Sequence, residues 1–219
     1  MRPGRFITFE GGEGGGKTTQ VALLVRSLEK AGISPLTTRE PGGSPGAEII
    51  RRLLVEGDVG RWDALTESLL HFAARQDHLT RMVKPAMREG RWVVCDRFAD
   101  STMAYQGYAQ GLGREPVEAL HRLVVGSFVP DLTLVLDLPV AEGLRRAGLR
   151  TSAEDRYERM GEAFHETLRS AFLDIARRNP GRCAVVPAAA PVEEVHRAIV
   201  SLVRERLDVP LEACDGPDS

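Results

Sequence analysis

Gly11-Gly12-Glu13-Gly14-Gly15-Gly16-Lys17-Thr18 has the spacing G-x-x-x-x-G-K-[ST], and its flanks decide what the run can be. Ahead of it, Arg5 to Glu10 alternates as a strand does, and behind it Thr19 to Leu28 runs with helical spacing toward Gly32. Strand, glycine loop and helix in that order make a phosphate-binding loop. The glycines let successive N–H groups converge on phosphate oxygens, while the helix amino terminus adds partial positive charge. Lys17 is then placed to reach the outer phosphates of a nucleotide, and the Thr18 hydroxyl to ligate Mg²⁺.

The rest of the chain suits one α/β domain. Its 219 residues are 42% hydrophobic, enough for a sizeable core, and no linker interrupts them. Basic and acidic residues number 29 and 31, so no global field draws the chain to nucleic acid or an anionic membrane. The three cysteines, Cys95, Cys183 and Cys214, lack metal-ligand spacing and read as thiols of a reducing compartment. No apolar run reaches membrane-spanning length, and the amino terminus enters a strand at once, without room for a signal peptide. A cytoplasmic protein is expected.

Four more apolar runs resemble buried parallel strands: Pro35 to Arg39, Trp92 to Asp96, Thr133 to Asp137 and Cys183 to Val186. Helical patterns alternate with them at about 46–56, 64–89, 114–126, 140–148, 156–179 and 191–207, with Pro85 expected to kink the second or end its regular part. The alternation predicts a five-stranded parallel sheet with helices on both faces. From Asp208 to Ser219, prolines, a glycine and acidic residues without periodicity predict a frayed, flexible end beyond a single domain of residues 1–207.

Ligands of such a sheet bind beyond the carboxyl ends of its strands. Here those ends carry Glu10, Arg39-Glu40, Asp96-Arg97 and Asp137. Asp96 follows Val93-Val94-Cys95 as a Walker B acid does, which suits a carboxylate that holds Mg²⁺ directly or through water. Arg97 cannot bind metal; a two-pronged donor there points to a phosphorylated acceptor. Hydroxyl, amide and aromatic groups follow on Ser101, Thr102, Tyr105 and Gln106, either to recognise a base and sugar or simply as a polar helix start capped by Asp100 or Ser101.

Val94 to Gln106 resembles the signature D-R-[FYH]-x-x-S-[TN]-x-A-Y-Q of thymidylate kinases. Thr38-Arg39-Glu40-Pro41-Gly42-Gly43 resembles their motif after the second strand, and Phe9 to Thr19 their phosphate loop. The resemblance, from about residue 5 to about residue 207, implies a P-loop fold like that of nucleoside-monophosphate kinases. It also implies transfer of the γ-phosphoryl of ATP to dTMP with Mg²⁺, in a homodimer. ATP would lie on Gly11, Gly12, Glu13, Gly14, Gly15, Gly16, Lys17, Thr18 and Thr19. Mg²⁺ would involve Thr18, with Asp96 and Glu10 serving the metal, its waters or the acceptor, while Arg97 orients the dTMP phosphate. Arg39 and Arg51 are further candidates for that phosphate, although Arg51 equally suits a solvated helix position. Arg75 matches the arginine that bonds thymine, Thr102 the base edge, and Tyr105 the residue that crowds out a ribose 2′-hydroxyl; Ser101 and Gln106 complete the acceptor cluster. The stacking aromatic of the family has no direct counterpart. Four residues before Arg75 stands His71, with Phe72 beside it, and helical geometry favours His71.

The arginine-rich stretch of about residues 145–158 resembles the family's lid, a closing segment that excludes water and brings cations to the transferred group. Relatives with a basic residue in the phosphate loop lack lid arginines. This loop has Glu13 and no basic residue between Gly11 and Gly16, so the resemblance assigns the transition-state cation to Arg146, Arg150 or Arg156. A carboxylate beside phosphate is unfavourable, so Glu13 is expected to point away, toward a donor such as the acceptor sugar's 3′-hydroxyl.

Overall fold

Five short strands form: β1 (Phe6–Glu10), β2 (Pro35–Arg39), β3 (Trp92–Asp96), β4 (Leu132–Asp137) and β5 (Cys183–Pro187). The structure is a computed structural model that describes residues 4–148 and 156–214. All pairings are parallel, in the order β2-β3-β1-β4-β5. β1 lies at the centre and is buried along its whole length, Thr8 and Glu10 included, as a strand of a parallel sheet covered on both faces is. Register aligns Arg39 with Asp96 and Asp96 with Phe9, so the carboxyl ends of β2, β3 and β1 finish level with one another.

Nine α-helices connect and flank the strands among the described residues: α1 (Lys17–Lys30), α2 (Pro45–Val55), α3 (Ala64–His78), α4 (Lys84–Arg88), α5 (Ala99–Thr102), α6 (Arg114–Val124), α7 (Val140–Ala147), α8 (Glu162–Arg178) and α9 (Val192–Leu207). Local chemistry sets several starts. Pro45 opens α2, and the Asp63 carboxylate caps α3 by accepting from Leu65 N at 3.0 Å and Thr66 N at 2.9 Å. Ile7 and Phe9 of β1 pack with Leu24 and Leu28 of α1 and Ile199 and Val203 of α9 on one face. Phe6 packs on the other with Val93, Phe98, Phe72 and Leu79. Each such side chain, fully buried, contributes about 1.5–3 kcal/mol.

Four expectations change. The predicted helix over 64–89 is interrupted by a π-helical turn at Leu79–Val83, where Lys84 N bonds Leu79 O instead of the carbonyl four residues back. Pro85, near the start of α4, has no N–H to return to Arg81, and the wider turn accommodates its ring. After β3 the polar helix start forms as α5, but it continues into an unexpected π turn at Met103–Ala109. Neither Asp100 nor Ser101 caps it: Asp100 pairs with Arg182 at 2.6 and 2.8 Å, and Ser101 bonds Glu10. The helix expected from 156 begins at Glu162, after Gly161. Finally, the segment 208–214 packs instead of fraying, with Leu211 in the core beside α9 and Cys214 N bonded to Ser27 Oγ at 3.1 Å. Cys95, Cys183 and Cys214 are all buried and unpaired.

Candidate active site

The glycine loop turns between β1 and α1 against backbone that leaves no space for side chains. Gly11 has φ 130°, and a Cβ there would lie 2.4 Å from Leu136 O; one on Gly14 would lie 2.1 Å from Gly143 O. Lys17 folds back over the loop, its Nζ 2.8 Å from Gly12 O and 3.2 Å from Gly11 O. Burial, aided by Arg97, outweighs the pull of Glu13, Asp96 and Glu10 and brings the Lys17 amine down to about 8. Thr18 and Thr19 follow in the first turn of α1. The Thr18 hydroxyl donates to Asp96 Oδ2 at 2.9 Å, joining the loop to the end of β3. A groove of about 1220 Å³ opens over these groups, lined on the far side by Thr38, Arg39 and Arg51.

Arg97 stands where that groove meets a second cleft, of about 660 Å³. Its backbone has φ 71°, a left-handed conformation that costs a non-glycine residue about 1–2 kcal/mol. The turn allows Arg97 N to bond Phe9 O at 2.9 Å while the side chain crosses over the loop. Nη1 donates to Gly11 O at 2.9 Å and Ser101 Oγ at 3.2 Å, and Nη2 to Glu13 Oε1 at 2.8 Å. Glu13 thus turns from the loop into the second cleft, where it also accepts from Tyr105 Oη at 2.5 Å. Burial alone would raise its carboxyl, but Arg97 and Lys17 hold it at about 2.

Glu10 differs from its expected place among the metal groups. It is fully buried, and both oxygens are engaged, Oε1 by Phe98 N at 2.7 Å and Oε2 by Ser101 Oγ at 2.6 Å. Burial and then the Asp100 carboxylate raise it to about 7. The residue ties the end of β1 to the start of α5 and leaves Thr18 and Asp96 as the hard-oxygen pair at the loop.

The second cleft is walled by α3 and the helix after β3. Arg75, 2% exposed, donates from Nε to Glu40 Oε2 at 2.8 Å and from Nη2 to Thr102 Oγ1 at 3.0 Å, while its buried Nη1 has no partner. Tyr105 and Gln106 line the same cleft, with Gln106 Nε2 bonded to Glu67 Oε1 at 2.7 Å. His71 also faces it, and burial followed by the charges of Arg75, Arg156, Arg97 and Arg51 pushes its imidazole down to about 3. Phe72, the alternative, lies in the core beneath the Arg75 guanidinium, its ring centroid 4.8 Å from Arg75 Cζ and packed edge-on to His121. Phe72 and His71 precede Arg75 by three and four residues, so both lie on its side of α3; Phe72 packs into the core while His71 lines the cleft.

The arginines divide. Arg51 lines both openings, its Nη1 on Pro41 O at 2.7 Å, whereas Arg39 lies at the rim of the loop groove beside Glu48, 3.3 Å away. Arg146 does not line either opening: i,i+4 spacing on α7 pairs it with Glu142 at 2.8 Å, and it reaches toward Ala188 O. Arg156 is wholly buried against Glu67, the Leu54 carbonyl in the last turn of α2 and the Asp58 and Val59 carbonyls of the loop beyond. Arg150 lies outside the described residues. Glu67 and Tyr157 were given no site role from sequence, and Glu40 only a place among the charged strand ends. A signal existed for Glu67, since Glu67, His71 and Arg75 recur every four residues on one face of α3.

A phosphate loop whose groove meets a second cleft at an arginine defines the class, a nucleoside-monophosphate kinase. The thymidylate kinase family model matches residues 9–199. A thymidylate kinase of Caulobacter vibrioides is 52% identical over 207 residues, covering 94% of this chain and 99% of its own. One from Dinoroseobacter shibae is 52% identical over 200 residues, covering 91% and 96%. The crystal structure of a thymidylate kinase from Ehrlichia chaffeensis superposes with a TM-score of 0.74 at 35% identity, over 92% of this chain and 100% of that one. This chain belongs to the thymidylate kinase family. No helix among the described residues is long and apolar enough to cross a membrane.

Proposed function

We propose that this chain transfers the γ-phosphoryl group of ATP to the 5′-phosphate of dTMP, giving dTDP and ADP. The observation that carries the acceptor assignment is Arg75, a cleft-lining residue whose fixed, buried guanidinium keeps one nitrogen without a partner. Unsatisfied, such a donor is costly; a pyrimidine carbonyl satisfies it. Thr102 beside it meets the base edge, and the ring of Tyr105 closes the space a 2′-hydroxyl would need. Glu13, already turned into the cleft, suits the 3′-hydroxyl.

The ATP phosphates would lie on Gly11 to Gly16, Lys17, Thr18 and Thr19, with Arg97 on the acceptor phosphate and Arg51 and Arg39 at the rim. An acceptor phosphate oxygen then attacks the γ-phosphorus as the bond to the ADP oxygen breaks. Alignment and charge neutralisation supply most of the catalysis. Thr18 and Asp96 form a hydroxyl–carboxylate pair of the kind Mg²⁺ prefers, and Mg²⁺ bound there would neutralise charge on the β- and γ-phosphates. Glu10 acts indirectly, by holding Ser101 and Phe98.

The family match across residues 9–199 supports one kinase domain. A homodimer is supported by exposed Ile49 and Leu53 on α2, Leu65 and Leu69 on α3 and Leu123 on α6, helices that pack side by side.

A substrate panel with ATP and Mg²⁺ tests the reading. ADP release should depend on dTMP and exceed by about a hundredfold or more that with AMP, whose purine offers Arg75 no carbonyl, and that with UMP, whose 2′-hydroxyl meets the ring of Tyr105. Equal turnover with UMP contradicts the thymidylate assignment in favour of another nucleoside-monophosphate acceptor. Lys17 predicts a pH dependence. It loses its charge in the free protein as pH rises through about 8, so kcat/KM for ATP should fall on that alkaline limb. A profile that stays flat into strongly alkaline solution removes Lys17 as the titrating group.

A further inference from the structure

The acceptor cleft has a wall that none of the motifs announces. Glu67 of α3, fully buried, takes four donors: Oε1 accepts from Gln106 Nε2 at 2.7 Å, Gln110 Nε2 at 2.8 Å and Tyr157 Oη at 2.8 Å, and Oε2 accepts from Arg156 Nη2 at 2.6 Å. The same Tyr157 oxygen lies 3.1 Å from His71 Nε2. A phenol has one proton to give. The carboxylate paired with Arg156 only accepts, so that proton points at Glu67, and the contact with His71 requires the imidazole to donate. Its tautomer is therefore Nε2–H, with Nδ1 left as the acceptor.

We infer that Glu67 and Tyr157 are positioning residues for the acceptor base, holding His71 as a neutral, Nε2-protonated ring whose plane is fixed in the wall of the cleft. The inference rests on the reading of this cleft as the dTMP site. The imidazole χ2 torsion is broad unless something pins it, and the Tyr157 hydroxyl is the pin. Tyr157 adds a second constraint, its ring 5.2 Å from that of Tyr105 and nearly perpendicular to it. His71, Tyr105 and Tyr157 thus form one aromatic part of the cleft lining, with His71 one helical turn from Arg75 on α3. An uncharged flat ring suits thymine, which offers carbonyl oxygens to the arginine and a π face to the wall. An imidazolium would repel Arg75 and Arg97 and put a second cation where the base presents no charge.

Tyr157→Phe in the full chain keeps the ring and removes the pin. Ring-nitrogen NMR of ¹⁵N-histidine-labelled, ligand-free protein, with His71 assigned by its loss in His71→Phe, should show the Nε2–H tautomer and its replacement by a mixture in Tyr157→Phe. In kinetics, KM for dTMP should rise roughly tenfold, more than kcat falls, the size of one lost hydrogen bond. In the His71→Phe background the same Tyr157→Phe change should alter KM less than twofold, because the partner to be oriented is gone. An Nδ1–H ring or an imidazolium at neutral pH overturns the inference, as does an equal rise in KM in both backgrounds, the mark of a merely structural tyrosine. A protein that shows the tautomer change yet does not phosphorylate dTMP supports the relay and removes the acceptor reading, so the two failures are distinct.

Discussion

Arg97→Lys should lower kcat/KM for dTMP by about a thousandfold, roughly 4 kcal/mol of transition-state stabilisation, while ATP still binds. The charge is kept, so the loss measures the fork. In the native site one guanidinium nitrogen bonds Gly11 O and Ser101 and the other bonds Glu13, which places a planar, two-pronged cation between the loop groove and the acceptor cleft. An ammonium is a single point with no fixed plane, and it cannot hold Glu13 and aim at an acceptor phosphate together. Glu13 is itself kept ionised by Arg97 and Lys17, so loosening that partner also disturbs the group assigned to the sugar. Steady-state kinetics, with ATP affinity measured separately by calorimetry, checks the result. A loss below tenfold in kcat/KM would mean that charge alone suffices and that Arg97 does not orient the acceptor.

How legible such features were in sequence depended on whether their partners are near in the chain. The strands were read nearly to the residue, because short apolar runs such as Val93-Val94-Cys95 lie between polar ends and sit buried on both faces. The π turns were not, since their cause is a hydrogen-bond shift that leaves no periodic mark; Pro85 gave the one hint. Within the site, Lys17, Thr18, Asp96 and Arg97 were marked by fixed spacing and by the ends of strands. His71 and Phe72 were not separable by helical period, since residues three and four before Arg75 both lie beside it; what distinguishes them is the core that Phe72 fills, which exists only in the folded chain. Arg146 and Arg156 were read as lid cations because an arginine-rich stretch does not say which arginines have carboxylates waiting for them. Glu142 lies four residues from Arg146, but Glu67 reaches Arg156 only through the folded chain.

The same distinction separates the two kinds of buried charge in this protein. Glu13 and Arg97 face open space, and each has capacity left for a ligand that the fold does not supply. Glu67 and Arg156 face only each other and their protein partners. Arg75 lies between the two kinds: Glu40, itself bonded to His78 Nδ1 at 2.9 Å, and Thr102 fix it, yet Nη1 remains for the acceptor. A polar group in the interior becomes informative about function through the bonds it lacks.

Arg156→Ala should therefore act on stability more than on chemistry. The guanidinium donates to Leu54 O at 3.0 Å in the last turn of α2, to Asp58 O at 2.9 Å and Val59 O at 2.9 Å in the loop that follows, and to Glu67. Leu54 O belongs to the last turn of α2, whose carbonyls have no intrahelical donor, and Asp58 O and Val59 O to the loop beyond; one cation serves all three and balances a buried carboxylate. Its removal leaves Glu67 ionised in the interior without a countercharge, a change that costs about 3–5 kcal/mol and lowers Tm by roughly 6–20 °C for a chain of this size. Adding Glu67→Gln to Arg156→Ala should recover part of the loss, because no unpaired charge is then buried. Denaturant titration of the single and double variants, with single-turnover phosphoryl transfer measured well below Tm, separates the two roles. Transfer should fall by about tenfold at most in the folded single variant, through Tyr157 and the cleft wall. If Arg156→Ala instead kept its full stability and lost a thousandfold in transfer, the transition-state cation expected of this segment would be Arg156 after all, delivered from a conformation in which the Glu67 pair is broken.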